Sequence, residues 1–242
     1  MGLFSMISSV VSSFGSAISN AVNSIGSALS SFATGIGVVL GNVVSALAPV
    51  AQAIGKFANA FLQGLGILKP DEKIDDFGDR ALQAAEQGIT MDKFENFDDY
   101  MNALRDFTPD PEVSAKRSYA EKLVAGMGVG TIGVEDKYNA ERGSLNGMWL
   151  LPIANPDYFT PDRLQSLVST GRLGGDVWAY LEKRLSGADA SRFEERLEVN
   201  PEGKPMNEQE REIYHGALDS TRENWANLSK QVEAKINPEH GA

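Results

Sequence analysis

The sequence predicts an all-α protein: a long uncharged N-terminal helix, or a pair of helices, followed by an acidic domain of several helices. Residues 1–55 contain no Asp, Glu, Lys, Arg or His, and apolar residues recur there with an eleven-residue period. After Pro70 the chain becomes acidic, and short amphipathic stretches alternate with Pro and Gly. With 242 residues and a net charge of -11, the chain is long enough for one or two domains.

The N-terminal repeat divides into six blocks of eleven residues, beginning at Leu3. Eleven residues over three turns give about 3.67 residues per turn, close to an α-helix, whereas a strand would alternate with a period of two. Pro49 should kink or end the helix near Ala46, so we expect helices at roughly 3–47 and 50–67. The apolar positions then form one face, which we interpret as an assembly or membrane face. This face consists of Leu3, Ile7, Val10, Phe14, Ile18, Val22, Ile25, Leu29, Phe32, Ile36, Leu40, Val43, Leu47, Val50, Ile54, Phe57, Phe61 and Leu65.

This helical segment should be unstable alone in water. Each Gly costs about 1 kcal/mol relative to Ala, and no ion pairs compensate. The apolar face therefore needs a bilayer, copies of itself or other proteins to cover it. Segment 36–55 has 20 uncharged residues, about the minimum length for a membrane span, but Asn42, Pro49 and Gln52 make it a poor one. Self-association within a larger assembly is slightly favoured over a permanent span.

Neither a signal peptide nor a lipid anchor is expected at the N-terminus. The uncharged stretch is too long for a signal peptide and lacks a positive first region. Met1-Gly2 begins an N-myristoylation motif, but Met6 stands where the motif requires Ser or Thr.

The composition changes at Leu68–Asp71, so we predict a boundary between residues 1–68 and 69–242. Thr160-Pro161 and Asn207 have the chemistry of helix N-termini. The expected helices of the acidic part are 72–87, 92–107, 111–126, 134–142, 161–170, 174–186, 189–198 and the long C-terminal helix 207–236. The run from Trp149 to Ile153 is the one stretch that could be extended.

Composition also excludes several kinds of chemistry. The chain has no Cys, and His215 and His240 are too few for a histidine-built metal site. The acidic balance argues against nucleic-acid binding, which needs clustered Lys and Arg. We therefore expect no cofactor, no metal and no nucleic-acid partner.

Three motifs invite a catalytic or binding interpretation, and each has a simpler structural one. Gly128–Gly133 matches the dinucleotide fingerprint, but a helix precedes it, so we expect a helix–helix connection. Glu141, close to Met148-Trp149, is the best candidate for a catalytic acid, although a solvated helix-end Glu is far commoner. Asp106, Asp110 and Glu112 form an acidic cluster, but they offer too few ligands at the wrong spacing for a calcium-binding EF-hand loop. The two prolines in this stretch indicate a helix break instead. No catalytic residue is assigned.

Residues 1–68, with their Gly/Ser/Ala/Val/Ile repeats and no acids, resemble the apolar helical stretches of phage tail-lumen and tape-measure proteins. They are also similar to the membrane-active N-termini of other minor virion proteins. Tape-measure proteins are usually much longer, so the length fits a small tail-tip or baseplate component better. The resemblance implies a non-enzymatic structural protein in the tail region of a tailed-phage particle. Its partners would be copies of itself and other virion proteins, and its helices could enter the host envelope during infection.

Two alternatives remain open. The chain could be a stand-alone pore-forming or membrane-permeabilising effector, with residues 69–242 as its soluble carrier. A third possibility is an anchored enzyme that acts on peptidoglycan.

Overall fold

A computed structural model describes residues 13–236 of the chain. The protein is all-α, 72% helical, and the described residues contain no β-strand, which confirms the predicted fold class. The described residues form two compact units, 13–146 and 147–236. The change in composition at residues 68–69 lies inside the first unit, because helices from both sides of it share one core. The predicted composition boundary therefore does not coincide with the division between the compact units.

The described residues of the first unit contain seven numbered helices and a separate 3-10 turn at Met91–Lys93. The helices are α1 (Ser13–Asn23), α2 (Ser27–Ala46), α3 (Ala48–Gly64), α4 (Ile74–Glu86), α5 (Phe97–Asp106), α6 (Pro111–Lys116) and α7 (Tyr119–Lys137). Helix α2 is a continuous helical run that includes a 3-10 turn at Ser27–Leu29 and a π-helical turn at Ala33–Gly37. Leu47 has a non-helical backbone conformation and separates α2 from α3, two residues before Pro49.

The expected continuous helix over 3–47 is interrupted at residues 24–26, and residues 1–12 lie outside the described part. Helices α1 and α2 pack antiparallel, since Ile18 contacts Gly41 while the Ser19 hydroxyl donates to the Ala33 carbonyl at 2.7 Å. The hairpin lets the apolar faces of both helices share one cover. A single long helix could not achieve this within one compact unit.

The glycine-rich run Gly128–Gly133 lies inside helix α7, so the expectation of a helix–helix connection there is wrong. The expected helices 111–126 and 134–142 are likewise replaced by α6 and α7. Helix α7 begins with a complete capping box, in which the Ser118 hydroxyl accepts from the Glu121 amide and the Glu121 carboxylate accepts from the Ser118 amide. Tertiary packing outweighs the low helix propensity of the glycines.

The second unit contains α8 (Leu150–Ala154), α9 (Pro161–Ser169), α10 (Val177–Leu181), α11 (Gly187–Leu197) and α12 (Glu208–Ile236). Thr160 caps α9 and the Asn207 side chain accepts from the Glu210 amide at the start of α12, as the sequence predicts. The run after Trp149 is helical rather than extended. Large aromatic side chains fill this core, including Trp149, Trp225, Tyr180, Tyr214 and Phe159.

Candidate functional site: the covered apolar segment

Helix α2 is long and apolar enough to cross a membrane. It has 20 residues, a mean hydropathy of 1.5 and no charged side chain. The core helices of soluble proteins share these properties, and 61% of this stretch is buried within the protein. Length and composition therefore make α2 a candidate membrane span, which other residues of the first unit cover in part.

The predicted assembly or membrane face lies mostly in the interior of the first unit. Leu47, Val50 and Phe57 are only half-buried. Leu3, Ile7 and Val10 lie outside the described residues, as does the side chain of Phe14. The buried members of the predicted face are Ile18, Val22, Ile25, Leu29, Phe32, Ile36, Leu40, Val43, Ile54, Phe61 and Leu65. We expected other molecules to cover this face, whereas helices of residues 69–146 contribute to its cover.

Glycines of α7 provide room for the apolar side chains they cover. A Cβ at Gly128 would lie 3.0 Å from Leu29 Cδ2 and 3.2 Å from Phe32 Cδ1. A Cβ at Gly130 would approach Leu62 Cδ1 of α3 to 2.7 Å. Each glycine therefore leaves room for apolar side chains of a different N-terminal helix, so α7 can pack closely against both α2 and α3.

Helices α4 and α7 cross with their backbones in contact. A Cβ at Gly78 would collide with the carbonyl oxygen of Lys122, and a Cβ at Gly126 would collide with that of Ile74. No side chain larger than hydrogen fits at either position without moving the helices apart. The glycine pair fixes the distance between the two helices.

The start of α2 is held by a carboxylate from a distant part of the chain. Asp92 Oδ2 accepts from the Ser27 amide at 2.7 Å, and its Oδ1 accepts from the Ser27 hydroxyl at 2.7 Å. The Ala28 amide donates to the same Oδ1 at 3.4 Å. Asp92 is exposed, and its small loss of hydration acts to raise its pKa, but the hydrogen bonds from Ser27 and Ala28 outweigh this effect, so the pKa is lowered.

An apolar cleft of about 520 Å³ opens beside the same helices. Small and apolar residues of α1, α2 and α3 line it together with the first residues of α7, including Tyr119 and Glu121. Glu121 is engaged in the capping box of α7, so this carboxylate already has hydrogen-bond partners. The cleft can accept an apolar group, and its lining contains no pair of carboxylates for acid–base chemistry.

The acid singled out in the sequence, Glu141, is not the buried one. Glu141 is exposed, whereas Glu135 at the end of α7 is 1% exposed. Burial raises the pKa of Glu135, although its Oε1 accepts from the Gly143 amide at 2.9 Å and the Leu145 amide at 3.1 Å. Sequence reasoning missed Glu135; its place directly after the apolar run 123–134 was the available signal.

The other polar residues singled out in the sequence do not form a metal or catalytic site within the described residues. Asp110 caps α6 by accepting from the Glu112 amide at 2.8 Å. Across residues 13–236 no group of three or more His, Cys, Asp or Glu could hold a metal ion. His215 is exposed on α12 with its ring 5.2 Å from that of Tyr214, and His240 lies outside the described residues.

Comparisons with protein-family models, with curated proteins and with solved structures give no match to this chain.

Proposed function

We propose that this chain is a structural protein of a viral particle, of the tailed-phage kind, that carries membrane-active helices in a covered form. During infection α2 would leave its cover and enter the host envelope. The viral setting is supported by the resemblance of the uncharged repeat to phage tail and virion proteins. The membrane step is supported by the length and composition of α2.

One observation carries the proposal: an uncharged helix long enough to span a bilayer is stored against a glycine-lined helix of its own compact unit. Burial of apolar surface contributes about 25 cal/mol per Å², so exposure of this face to water is strongly unfavourable. Hydrocarbon tails replace that burial when the helix enters a bilayer. A lipid surface is therefore the condition under which α2 can leave the core at low cost.

The second candidate is the stand-alone membrane-permeabilising effector. It is favoured by the cover that residues 69–146 give to the apolar face, because a chain that covers its own helices needs no assembly for solubility. Mass spectrometry of purified particles from the source distinguishes the two. The virion proposal expects the chain at a fixed copy number per particle, and its absence from particles would favour the effector.

The membrane step can be tested with a disulfide that locks α2 in its covered position. A Cβ at Gly143 lies 3.7 Å from Ser31 Cβ, within the range of about 3.5–4.5 Å that a disulfide requires. The chain has no Cys, so Ser31→Cys with Gly143→Cys introduces a single thiol pair. Gly143 has a φ of 85°, which is unfavourable for Cys, but the reduced form of the same protein carries the same strain.

Dye release from phosphatidylcholine vesicles is the readout, since neutral lipid avoids repulsion of a chain with a net charge of -11. Wild-type and reduced double variant should release dye, and the oxidised variant should release at least tenfold less. If the wild type releases no dye at micromolar concentration, the proposed membrane step is wrong. Equal release by the oxidised and reduced forms would show that α2 need not leave its cover.

A further inference from the structure

The first turn of α2 is bound by residues that lie 65 positions away in the sequence. A helix start leaves backbone amides without intrahelical partners, and here Asp92 accepts from the amides of Ser27 and Ala28 as well as from the Ser27 hydroxyl. The carboxylate also carries the negative charge that the positive end of a helix favours. Asp92 thus acts as an N-cap supplied from outside the helix.

The connection between α1 and α2 is shaped to admit this carboxylate. The Met91 amide donates to the Ile25 carbonyl at 3.3 Å, which fixes the Asp92 segment against the turn. A Cβ at Gly26 would lie 2.9 Å from Asp92 Oδ2, so a larger residue there would push the carboxylate away. Residues 25–28 and 91–92 together form a small clasp across the hinge between the two helices.

We propose that this clasp is autoinhibitory: Asp92 holds the start of α2 and thereby keeps the helix in its covered state. The inference rests on the proposed membrane function. Helix α2 carries no charge, whereas the Asp92 carboxylate is costly to bring into hydrocarbon. The hydrogen bonds from Ser27 and Ala28 to Asp92 must therefore break before the first turn of α2 can enter a bilayer.

The test compares Asp92→Ala and Asp92→Asn with Glu95→Ala in the full chain. Glu95 is an exposed acid three residues from Asp92, so its replacement causes the same change in net charge. Hydrogen exchange of the Ser27 and Ala28 amides in lipid-free solution reports the clasp itself. Dye release from phosphatidylcholine vesicles reports its autoinhibitory role.

Loss of an N-cap should speed exchange at Ser27 and Ala28 by about tenfold in Asp92→Ala. Dye release should accelerate by a similar factor. Asp92→Asn keeps one acceptor oxygen and should show a smaller effect in both measurements, whereas Glu95→Ala should match the wild type.

The outcomes separate the clasp from the membrane function. Unchanged exchange at Ser27 in Asp92→Ala would overturn the clasp, whatever the vesicles show. Faster exchange with a wild-type rate of dye release would overturn the autoinhibitory role alone. Faster exchange with no dye release from any variant, wild type included, would overturn the proposed function and the autoinhibition that rests on it.

Discussion

The two compact units differ in the contacts that bring their helices together. In the first unit, α4 and α7 approach through Gly78 and Gly126, and further glycines of α7 face apolar side chains. The second unit packs around large rings, with Trp149 and Trp225 almost completely buried. Glycine packing depends on backbones that meet at a fixed distance, whereas ring packing depends on the volume that each side chain fills.

Helix α2 also differs from the second unit in its polar contacts. In the second unit Trp225 Nε1 donates to Glu182 Oε1 at 2.6 Å, and the Tyr180 hydroxyl donates to Glu194 Oε1 at 2.8 Å. Helix α2 of the first unit has no charged residue with which to form an ion pair. Apolar contacts therefore hold α2 along most of its length, and a bilayer can replace such contacts.

The largest effect is expected from Gly126→Ala. The added methyl group collides with the Ile74 carbonyl oxygen, so α4 and α7 must separate and the covering surface is lost. We expect a loss of more than about 4 kcal/mol in the free energy of unfolding of this unit, measured by denaturant titration followed by circular dichroism.

The matched control is Gly216→Ala in α12, where nothing lies within 4 Å of the new methyl group. This exchange should be neutral or stabilise the protein by up to about 1 kcal/mol. A Gly126→Ala protein as stable as the Gly216→Ala protein would show that the backbones of α4 and α7 do not need to touch.

A slightly smaller effect is expected from Trp225→Ala in the second unit. Removal of this buried ring leaves a cavity and deprives Glu182 of its indole donor, at a cost of about 3–5 kcal/mol. All three Trp residues lie in 147–236, so the fluorescence of Trp149 and Trp178 during denaturation reports this unit.

Trp225→Phe shows how much of this loss is due to the six-membered ring. It keeps a buried phenyl ring and removes the donor together with the five-membered ring of the indole, so it should lose clearly less stability than Trp225→Ala. Equal losses would mean that the part of the indole that carries the hydrogen bond to Glu182, rather than the phenyl-sized part, holds α12 against its neighbours.

The smallest effect is a pH dependence due to Glu135. Because burial raises its pKa in the folded state, its stabilising contribution is complete below the unfolded value of 4.5 and is lost as pH rises through the folded pKa. Glu135→Gln removes this titration. The melting temperature of the variant, relative to that of the wild type, should therefore increase from pH 4 to about pH 7. Glu141→Gln, at an exposed acid, should follow the wild type, and parallel curves for all three proteins would contradict the assignment.

The sequence predicts the helical class and the single apolar face because both depend on local periodicity. The turn at residues 24–26 could not be predicted, since Gly26 occupies the same repeat position as Gly15 and Gly37, which are helical, and the contact that distinguishes it is with Asp92, far away in the sequence. The glycines of α7 were misinterpreted because their intrinsic preference favours a loop, whereas close contacts such as that of Gly126 with Ile74 require them in a helix. Caps such as Thr160 were predicted because their chemistry is local.

The π-helical turn at Ala33–Gly37 has a consequence for the register of α2. This turn holds one residue more than an α-helical turn, and the Ser19 hydroxyl of the hairpin hydrogen-bonds to its first carbonyl. Without that hydroxyl, a return to regular α geometry would rotate residues 38–46 by roughly 100° relative to residues 27–32. The side chains that form one stripe in the hairpin would then point in two directions, so in the membrane step proposed above the helix would present a different surface from the one that is covered here.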